Sequence, residues 1–568
     1  MAASSTSAEK AFSKAHTLPF EATQNVKDLL ATSAALARPP ACEGREKVAS
    51  DRMGSSLRWS FFLGPGRYDT TDFERAPWDT PPFTSGALRT SLRIGQKRRM
   101  RGRSFALSSL LFATLTNGLS GQNDRLELGL RVRALEQMLE SCTSTRDRLR
   151  VAPHLEAAVQ RFFSGNEGGV AEALVDASAS LRGTRLREVE RFAASLALDL
   201  DARLVDAKDF SIAATIRQVF ACRAPVEGTL TVRIRWAGVE AAARELPLQT
   251  LPTTFQIPLP APTSGERIVS WEVCEGATVL SSRQLRVSVA DSWSERRDRL
   301  AERLAASAHR ETVEHKTLEF LLEMIHSLGS KGAPETELPG LDLLEEAEAL
   351  AAALQSNQPA SRLLEPGQHW VRIPLGKRSA NVRLGIPPRQ ESTAPHPLVI
   401  LLHGAGGSEN MFYDLYGCGA LVRSCLERGW IVAAPRSGVL AKPPLAALVG
   451  ALADRWPIDP SRVAVVGHSM GGMQALAAVQ GNPTPFVGVG ILGAGGSPSR
   501  GSQLPVPFFL GVGERDFAHD GALGLARKLR EAGAPVTLRE YPGVEHLAIV
   551  QFARVDLMQF LEKVLAPR

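Results

Sequence analysis

The C-terminal third of the chain predicts an α/β fold, a mostly parallel sheet with helices on both faces, preceded by helical modules and a small β-sandwich. Three observations predict it. Nearly continuous apolar runs recur after about residue 366, among them HPLVILLHG, WIVAAPRS, VAVVGHS, VGVGILGAG and PFFLGVGE. Such runs suit parallel strands buried on both faces. Amphipathic segments such as MFYDLYGCGALVRSCLERG and LGLARKLREAG come between some of them, and strands alternating with helices build a parallel sheet with two helical layers. Upstream, the hydrophobic period changes from helical to alternating and back, which separates the remaining modules.

Taken in order, residues 1–99 are rich in Ala, Ser, Arg and Pro and carry no sustained helix or strand period. They read as an over-extended or disordered leader. Residues 97–121, KRRMRGRSFALSSLLFATLTNGLSG, place a basic cluster before an apolar stretch that ends in small residues. This is the grammar of a secretory signal peptide starting at Met100, spanning 100–121, and it predicts a secreted, periplasmic or envelope protein. A signal anchor and a buried helix are the alternatives, and the Ser and Thr content makes the segment a poor membrane span.

The leader also explains the charge. The chain has 568 residues and a formal charge of +6. Residues 1–121 contain 17 Lys and Arg against 10 Asp and Glu, leaving 49 basic and 50 acidic residues beyond them. The basicity belongs to the leader, so no nucleic-acid partner is expected.

Residues 122–208 read as a helical module. DRLELGLRVRALEQMLESC, HLEAAVQRFFSG and LREVERFAASLALDLDARL space apolar residues by three and four. Residues 209–291 read as a β-sandwich-like module of short alternating segments divided by turn residues. Trp236 and Trp271 lie there, as core residues or as a binding face. Cys222 and Cys274 share this region and could pair in an exported protein; unpaired buried thiols are the alternative. No Cys/His cluster has metal-ligand spacing, and neither a metal nor an organic cofactor is expected. Residues 292–365 return to charged helical patterns around a GSKGAPETELPG linker. Residues 366–568 form the α/β domain.

Within that domain, Gly467-His468-Ser469-Met470-Gly471 is G-x-S-x-G, directly after a strand pattern and before the helical MQALAAVQG. A sharp strand-to-helix turn holds such a serine in a strained conformation, and small residues on either side let the backbones approach. A serine hydroxyl needs a base to become a nucleophile. His546, in YPGVEHLAIV past the last strand, is the candidate base, with His519 as the alternative. The base needs a carboxylate to set its tautomer. Asp516, delivered by VPFFLGVGERD, is the candidate, with Asp520 and Glu514 in reserve. The order Ser, Asp, His is the one this type of hydrolase uses. The tetrahedral intermediate needs preorganised donors. The Met470 N–H supplies one, and LVILLHGAGGS offers the other: Ala405 N–H, with Gly404 or Gly406 as alternates. His403 braces this loop. His468 packs or hydrogen-bonds beside the nucleophile, with substrate contact as its other possible role.

These residues carry a resemblance. HGAGG, GHSMGG, GERD and VEH in that order resemble the α/β-hydrolase superfamily over about residues 366–568, and its esterase branch near the polyhydroxybutyrate depolymerases, feruloyl esterases and dienelactone hydrolases. ADRWPIDPSRVAVVGHSMGG also resembles the catalytic domain of prolyl oligopeptidases. The resemblance implies Ser469, Asp516 and His546 as a triad, the set reached above from chain order. ILGAG is followed so closely by PFFLGV that no lid domain fits between them. The expected site is open to bulky or polymeric esters unless the upstream modules cover it. The resulting expectation is a serine esterase working through an acyl-enzyme. The alternatives are a prolyl oligopeptidase-type peptidase, against which the lack of repeated propeller blades argues, and a non-catalytic binding protein that keeps the fold.

Overall fold

A computed structural model describes residues 122–567, apart from 224–229, 237–238, 246–250, 260–262, 331–333, 389–393 and 439–443. The expected leader and the signal segment at Met100 lie outside the described residues.

Four helices open the described chain: α1 (Gln122–Glu140), α2 (Thr145–Phe163), α3 (Glu167–Arg182) and α4 (Glu188–Ser195). Their ends follow local chemistry. The Ser144 hydroxyl accepts the Asp147 N–H at the start of α2, and the Asn166 side chain accepts the Gly169 N–H at the start of α3. Gly183, at φ 69°, ends α3 in the left-handed conformation that glycine adopts freely.

The β module begins earlier than the sequence period suggested. Strands β1 (Leu196–Leu200) and β2 (Leu204–Asp206) occupy a stretch that reads as helix, and they precede β3 (Ser211–Gln218). LALDL continues the apolar spacing of α4, so periodicity does not separate the two. Antiparallel pairing of Leu196–Leu200 with Gln218–Ala214 decides for strand. The module continues with β4 (Leu230–Trp236), β5 (Val239–Glu245), β6 (Thr253–Pro258), β7 (Gly265–Glu275) and β8 (Thr278–Ala290). Its two sheets run β1-β3-β6 and β2-β8-β7-β4-β5, and one hydrophobic core fills the space between them.

Trp236 and Trp271 are buried in that core, and the Trp236 Nε1–H donates to the Pro258 carbonyl at 2.8 Å. They are packing residues and form no binding face. Cys222 is a free thiol that accepts from Gln218 Nε2, so the pairing with Cys274 is not formed.

Three helices follow: α5 (Trp293–Ala306), α6 (Val313–Leu328) and α7 (Gly340–Ser356). The α/β region then runs β9 (Gly367–Leu375), β10 (Arg378–Ile386), β11 (His396–Leu402), α8 (Ala420–Glu427), β12 (Ile431–Pro435), α9 (Leu445–Ala453), β13 (Ile458–His468), α10 (Met470–Gly481), β14 (Phe486–Leu492), β15 (Phe508–Gly513), α11 (His519–Glu531), β16 (Val536–Tyr541) and α12 (Ile549–Val564). Among the described residues its sheet has eight strands in the order β16-β15-β14-β13-β11-β12-β10-β9. Strand β10 pairs antiparallel with β9 and β12, and the other neighbours are parallel. The chain therefore leaves β11 toward β12 on one side and reaches β13 on the other. Sites in open α/β sheets lie at the carboxyl ends of strands where the order reverses in this way.

Alternation along the central strands explains their unbroken apolar runs. Leu398, Ile400 and Leu402 of β11 face one core, and Val399 and Leu401 face the other. In β13, Val463 and Val465 face the first core, Ala464 and Val466 the second. Helices from upstream enlarge both layers. The first core includes α5–α7 with α9–α11, and the second includes α1–α3 with α8 and α12. The described residues accordingly belong to one compact unit. None of the helices among the described residues is long and apolar enough to cross a membrane.

The shared core predicts shared stability. Leu135 of α1 is fully buried in the second core. Leu135→Ala should cost about 2–5 kcal/mol and lower the hydrogen-exchange protection of the β11 and β13 amides together with that of α1. Loss of protection confined to α1 would contradict a common core.

Candidate active site

The site begins with a steric problem at the end of β13. Ser469 adopts φ 55° and ψ −118°, and α10 starts at the next residue. A positive φ at a residue with a side chain costs about 1–3 kcal/mol and persists only where its surroundings enforce it. The enforcement is visible on both sides. The Ser469 N–H donates to the Leu492 carbonyl at the end of β14, at 2.8 Å. A Cβ on Gly467 would collide with the Gly471 carbonyl, and a Cβ on Gly471 with the Leu402 carbonyl. The glycine spacing of the motif is thus a packing requirement of this turn. Ser469 stays half-buried while both its neighbours are buried.

Asp516 and His546 meet close to this turn. Asp516 follows β15 on a turn pinned to the loop that carries His546: the Glu514 N–H donates to the Tyr541 carbonyl and the Arg515 N–H to the Val544 carbonyl. His546 Nδ1 lies 2.9 Å from Asp516 Oδ1, and both side chains are buried. Because the carboxylate accepts, Nδ1 carries the proton, and Nε2 is the ring nitrogen left to receive another. Asp516 Oδ1 also accepts the Ala518 N–H at 2.8 Å. Gly493, the residue after Leu492, ties the pair to the serine turn. A Cβ there would stand 2.8 Å from Asp516 Oδ2 and 3.1 Å from His546 Nδ1.

The alternatives are placed elsewhere. His519 pairs with Glu540 at 2.9 Å, and Asp520 beside it is fully exposed. Glu514 accepts the Gly543 N–H at 3.0 Å, bracing the His546 loop rather than the ring.

The loop after β11 also comes close to Ser469. A Cβ on Gly404 would lie 3.4 Å from Ser469 Cβ. Its amide is engaged, donating to the Tyr416 hydroxyl at 3.4 Å, and the Gly407 amide closes a turn onto the Gly404 carbonyl. Neither the Ala405 nor the Met470 amide makes a hydrogen bond among the described residues. His403 braces the loop as expected from the sequence. The Ser437 N–H donates to its Nε2 at 3.0 Å, so Nδ1–H donates to the Gly404 carbonyl at 2.8 Å. Burial lowers the pKa of His403, which favours this neutral form.

His468 forms a relay that sequence alone does not disclose. Its Nε2 donates to the His546 carbonyl at 3.1 Å, and its Nδ1 accepts from the Tyr416 hydroxyl at 3.0 Å. Tyr416 in turn accepts the Gly404 amide. One chain of hydrogen bonds therefore connects the glycine loop to the backbone of His546. Burial, then the neighbouring His546, holds the His468 pKa well below the usual imidazole range, and burial raises that of Tyr416. The His468 ring is buried, and both of its nitrogens are engaged within the protein. Nothing local in YDLYG marks Tyr416, which lies 52 residues before His468.

Upstream helices reach the same place. The Arg125 guanidinium of α1 donates to the Gly406 carbonyl at 3.0 Å, and Glu136 accepts the Gly417 amide at 3.2 Å. Phe162 of α2 stands where a Cβ on Gly406 would be 2.5 Å from its ring. Residues 493–507 cross from β14 to β15 without a helix, so no lid is inserted there.

The buried neutral imidazole of His468 gives a pH prediction. Its folded pKa lies below the unfolded value of about 6.5, so below that pH the unfolded chain binds more protons and stability falls. Unfolding free energy should decline from about pH 6.5 downward, and His468→Gln should flatten that slope. An equal slope in both proteins would contradict the assignment.

Residues 399–564 match the model of the alpha/beta hydrolase family. No curated protein matches the chain. Similar solved structures include a bacterial heroin esterase, at 20% identity over 35% of this chain and 85% of that one, with a TM-score of 0.31. FphF, a fluorophosphonate-binding serine hydrolase of Staphylococcus aureus, aligns at 15% identity over 34% of this chain and 99% of that one, with a TM-score of 0.29. EstE1, a carboxylesterase cloned from a metagenomic library, aligns at 19% identity over 36% and 91% of the two chains, with a TM-score of 0.30. The C-terminal α/β domain of this chain has the α/β-hydrolase fold and matches that family's model over residues 399–564.

Proposed function

We propose that this hydrolase cleaves carboxylic esters through an acyl-enzyme on Ser469. The observation that carries the reading is the buried His546–Asp516 pair at 2.9 Å, set beside a strained serine turn at the carboxyl end of the sheet. His546 Nε2 takes the hydroxyl proton as Ser469 Oγ attacks the ester carbonyl. Asp516 keeps the imidazole in the required tautomer and stabilises its protonated form. The Met470 and Ala405 amides receive the oxyanion. The tetrahedral intermediate collapses as His546 returns the proton to the departing alcohol oxygen. Water then attacks the acyl-enzyme with His546 again as base, releasing the acid and restoring Ser469.

An ester is favoured over a peptide by the architecture around the site. The upstream β module forms two sheets of three and five strands among the described residues, not the repeated blades of a propeller that would filter peptides. The absent crossover helix supports an open approach for the substrate.

A fluorophosphonate should label the wild type and leave Ser469→Ala unlabelled. Hydrolysis of p-nitrophenyl esters should vanish in Ser469→Ala and fall by about four orders of magnitude in kcat in Asp516→Asn, which presents the wrong imidazole tautomer. Labelling and turnover that persist in Ser469→Ala would refute the reading. So would a folded wild type that neither reacts with the phosphonate nor hydrolyses esters.

A further inference from the structure

Three phenylalanines form a continuous exposed wall along the site, and two of them come from outside the α/β domain. Phe162 and Phe163 close helix α2, and Phe517 follows Asp516. The Phe162 and Phe163 rings meet edge to face at 5.5 Å, Phe163 and Phe517 at 5.9 Å, and Phe517 lies 4.3 Å from the His546 ring. At the other end Phe162 borders Gly406 of the glycine loop. The wall thus runs from the glycine loop to the base. The three residues are 43%, 51% and 64% exposed. Isolated exposed apolar residues are ordinary, but a contiguous apolar patch marks a binding surface. Edge-to-face rings present both faces and edges to a further aromatic group.

We propose that this wall binds the alcohol portion of the substrate, and that the preferred substrates are esters of aromatic alcohols. The inference rests on the serine esterase reading above. Its direction comes from the chemistry of the base. The alcohol oxygen must come within about 3 Å of His546 Nε2 to receive its proton, so the alcohol lies on the His546 side of the scissile carbonyl. Phe517 packs on that ring, and Phe163 and Phe162 extend the surface outward. The acyl group leaves the carbonyl in the other direction. Helix α2 thereby acts as a specificity element supplied by the segment before the α/β domain.

The test uses the full chain, wild type and Phe162→Ala/Phe163→Ala, with 2-naphthyl acetate and ethyl acetate as the alcohol pair and ethyl 2-naphthoate and ethyl acetate as the acyl pair. The expected result is a fall of about 10- to 100-fold in the naphthyl-to-ethyl ratio of kcat/KM for the alcohol pair, with the acyl-pair ratio unchanged. Inhibition by 2-naphthol should weaken in the same variant. Phe162→Leu/Phe163→Leu keeps the apolar volume and should give a smaller fall in the alcohol ratio; it also serves if the alanine variant does not fold. An unchanged alcohol ratio, or a fall in the acyl ratio instead, overturns the assignment while leaving the esterase reading intact. A wild type that resists the fluorophosphonate and hydrolyses none of the esters overturns the esterase reading and this inference with it.

Discussion

The strained backbone at Ser469 is the constraint on which the site depends. Its conformation is unfavourable alone, so the fold must hold it from several directions. The Leu492 carbonyl fixes its amide, and the close approach of Gly467, Gly471 and Leu402 leaves no space for relaxation. These contacts need β11, β13 and β14 to be neighbours in register. The strand order that places β13 between β11 and β14 supplies that. Preorganisation at one residue therefore draws on the central sheet.

The same economy governs the polar groups around the serine. Burying imidazole, phenol and amide groups is costly unless each finds a partner. His468 and Tyr416 satisfy this by bonding to each other and to the His546 carbonyl and Gly404 amide, and His403 by bonding to the Gly404 carbonyl and the Ser437 amide. His468 is adjacent to the serine in sequence, yet its bonds run to Tyr416 and to the His546 carbonyl. It ties the glycine loop to the loop that carries His546. The neutral state favoured by burial lets one ring nitrogen donate and the other accept.

The segments before the α/β domain belong to the same structure. Helices α1–α3 and α5–α7 enlarge the two layers that cover the sheet. Arg125 and Glu136 hold the glycine loop and the residues that follow it, and the end of α2 brings aromatic rings to the edge of the site. An α/β sheet of this kind leaves the mouth of its site to be shaped by whatever packs around the carboxyl ends of its strands. Here part of that shape comes from residues more than two hundred positions upstream.

Much of the site was legible in the sequence because its demands are local. The glycines at 467 and 471 follow from sterics within a few residues of Ser469. The unbroken apolar strands follow from burial on both faces, and the order of Ser469, Asp516 and His546 follows from which strand ends reach one edge of the sheet. Tertiary structure decided whatever depends on partners distant in the chain. LALDL became strand because Gln218–Ala214 was available to pair with it, although its period also suits a helix. Trp236 and Trp271 entered a core because a second sheet covers them. Tyr416 and Phe162 carry no local mark of their place near Ser469. Turn sterics act between near neighbours and leave a spacing that can be read, whereas burial and hydrogen bonding between distant residues arise only when packing brings them together.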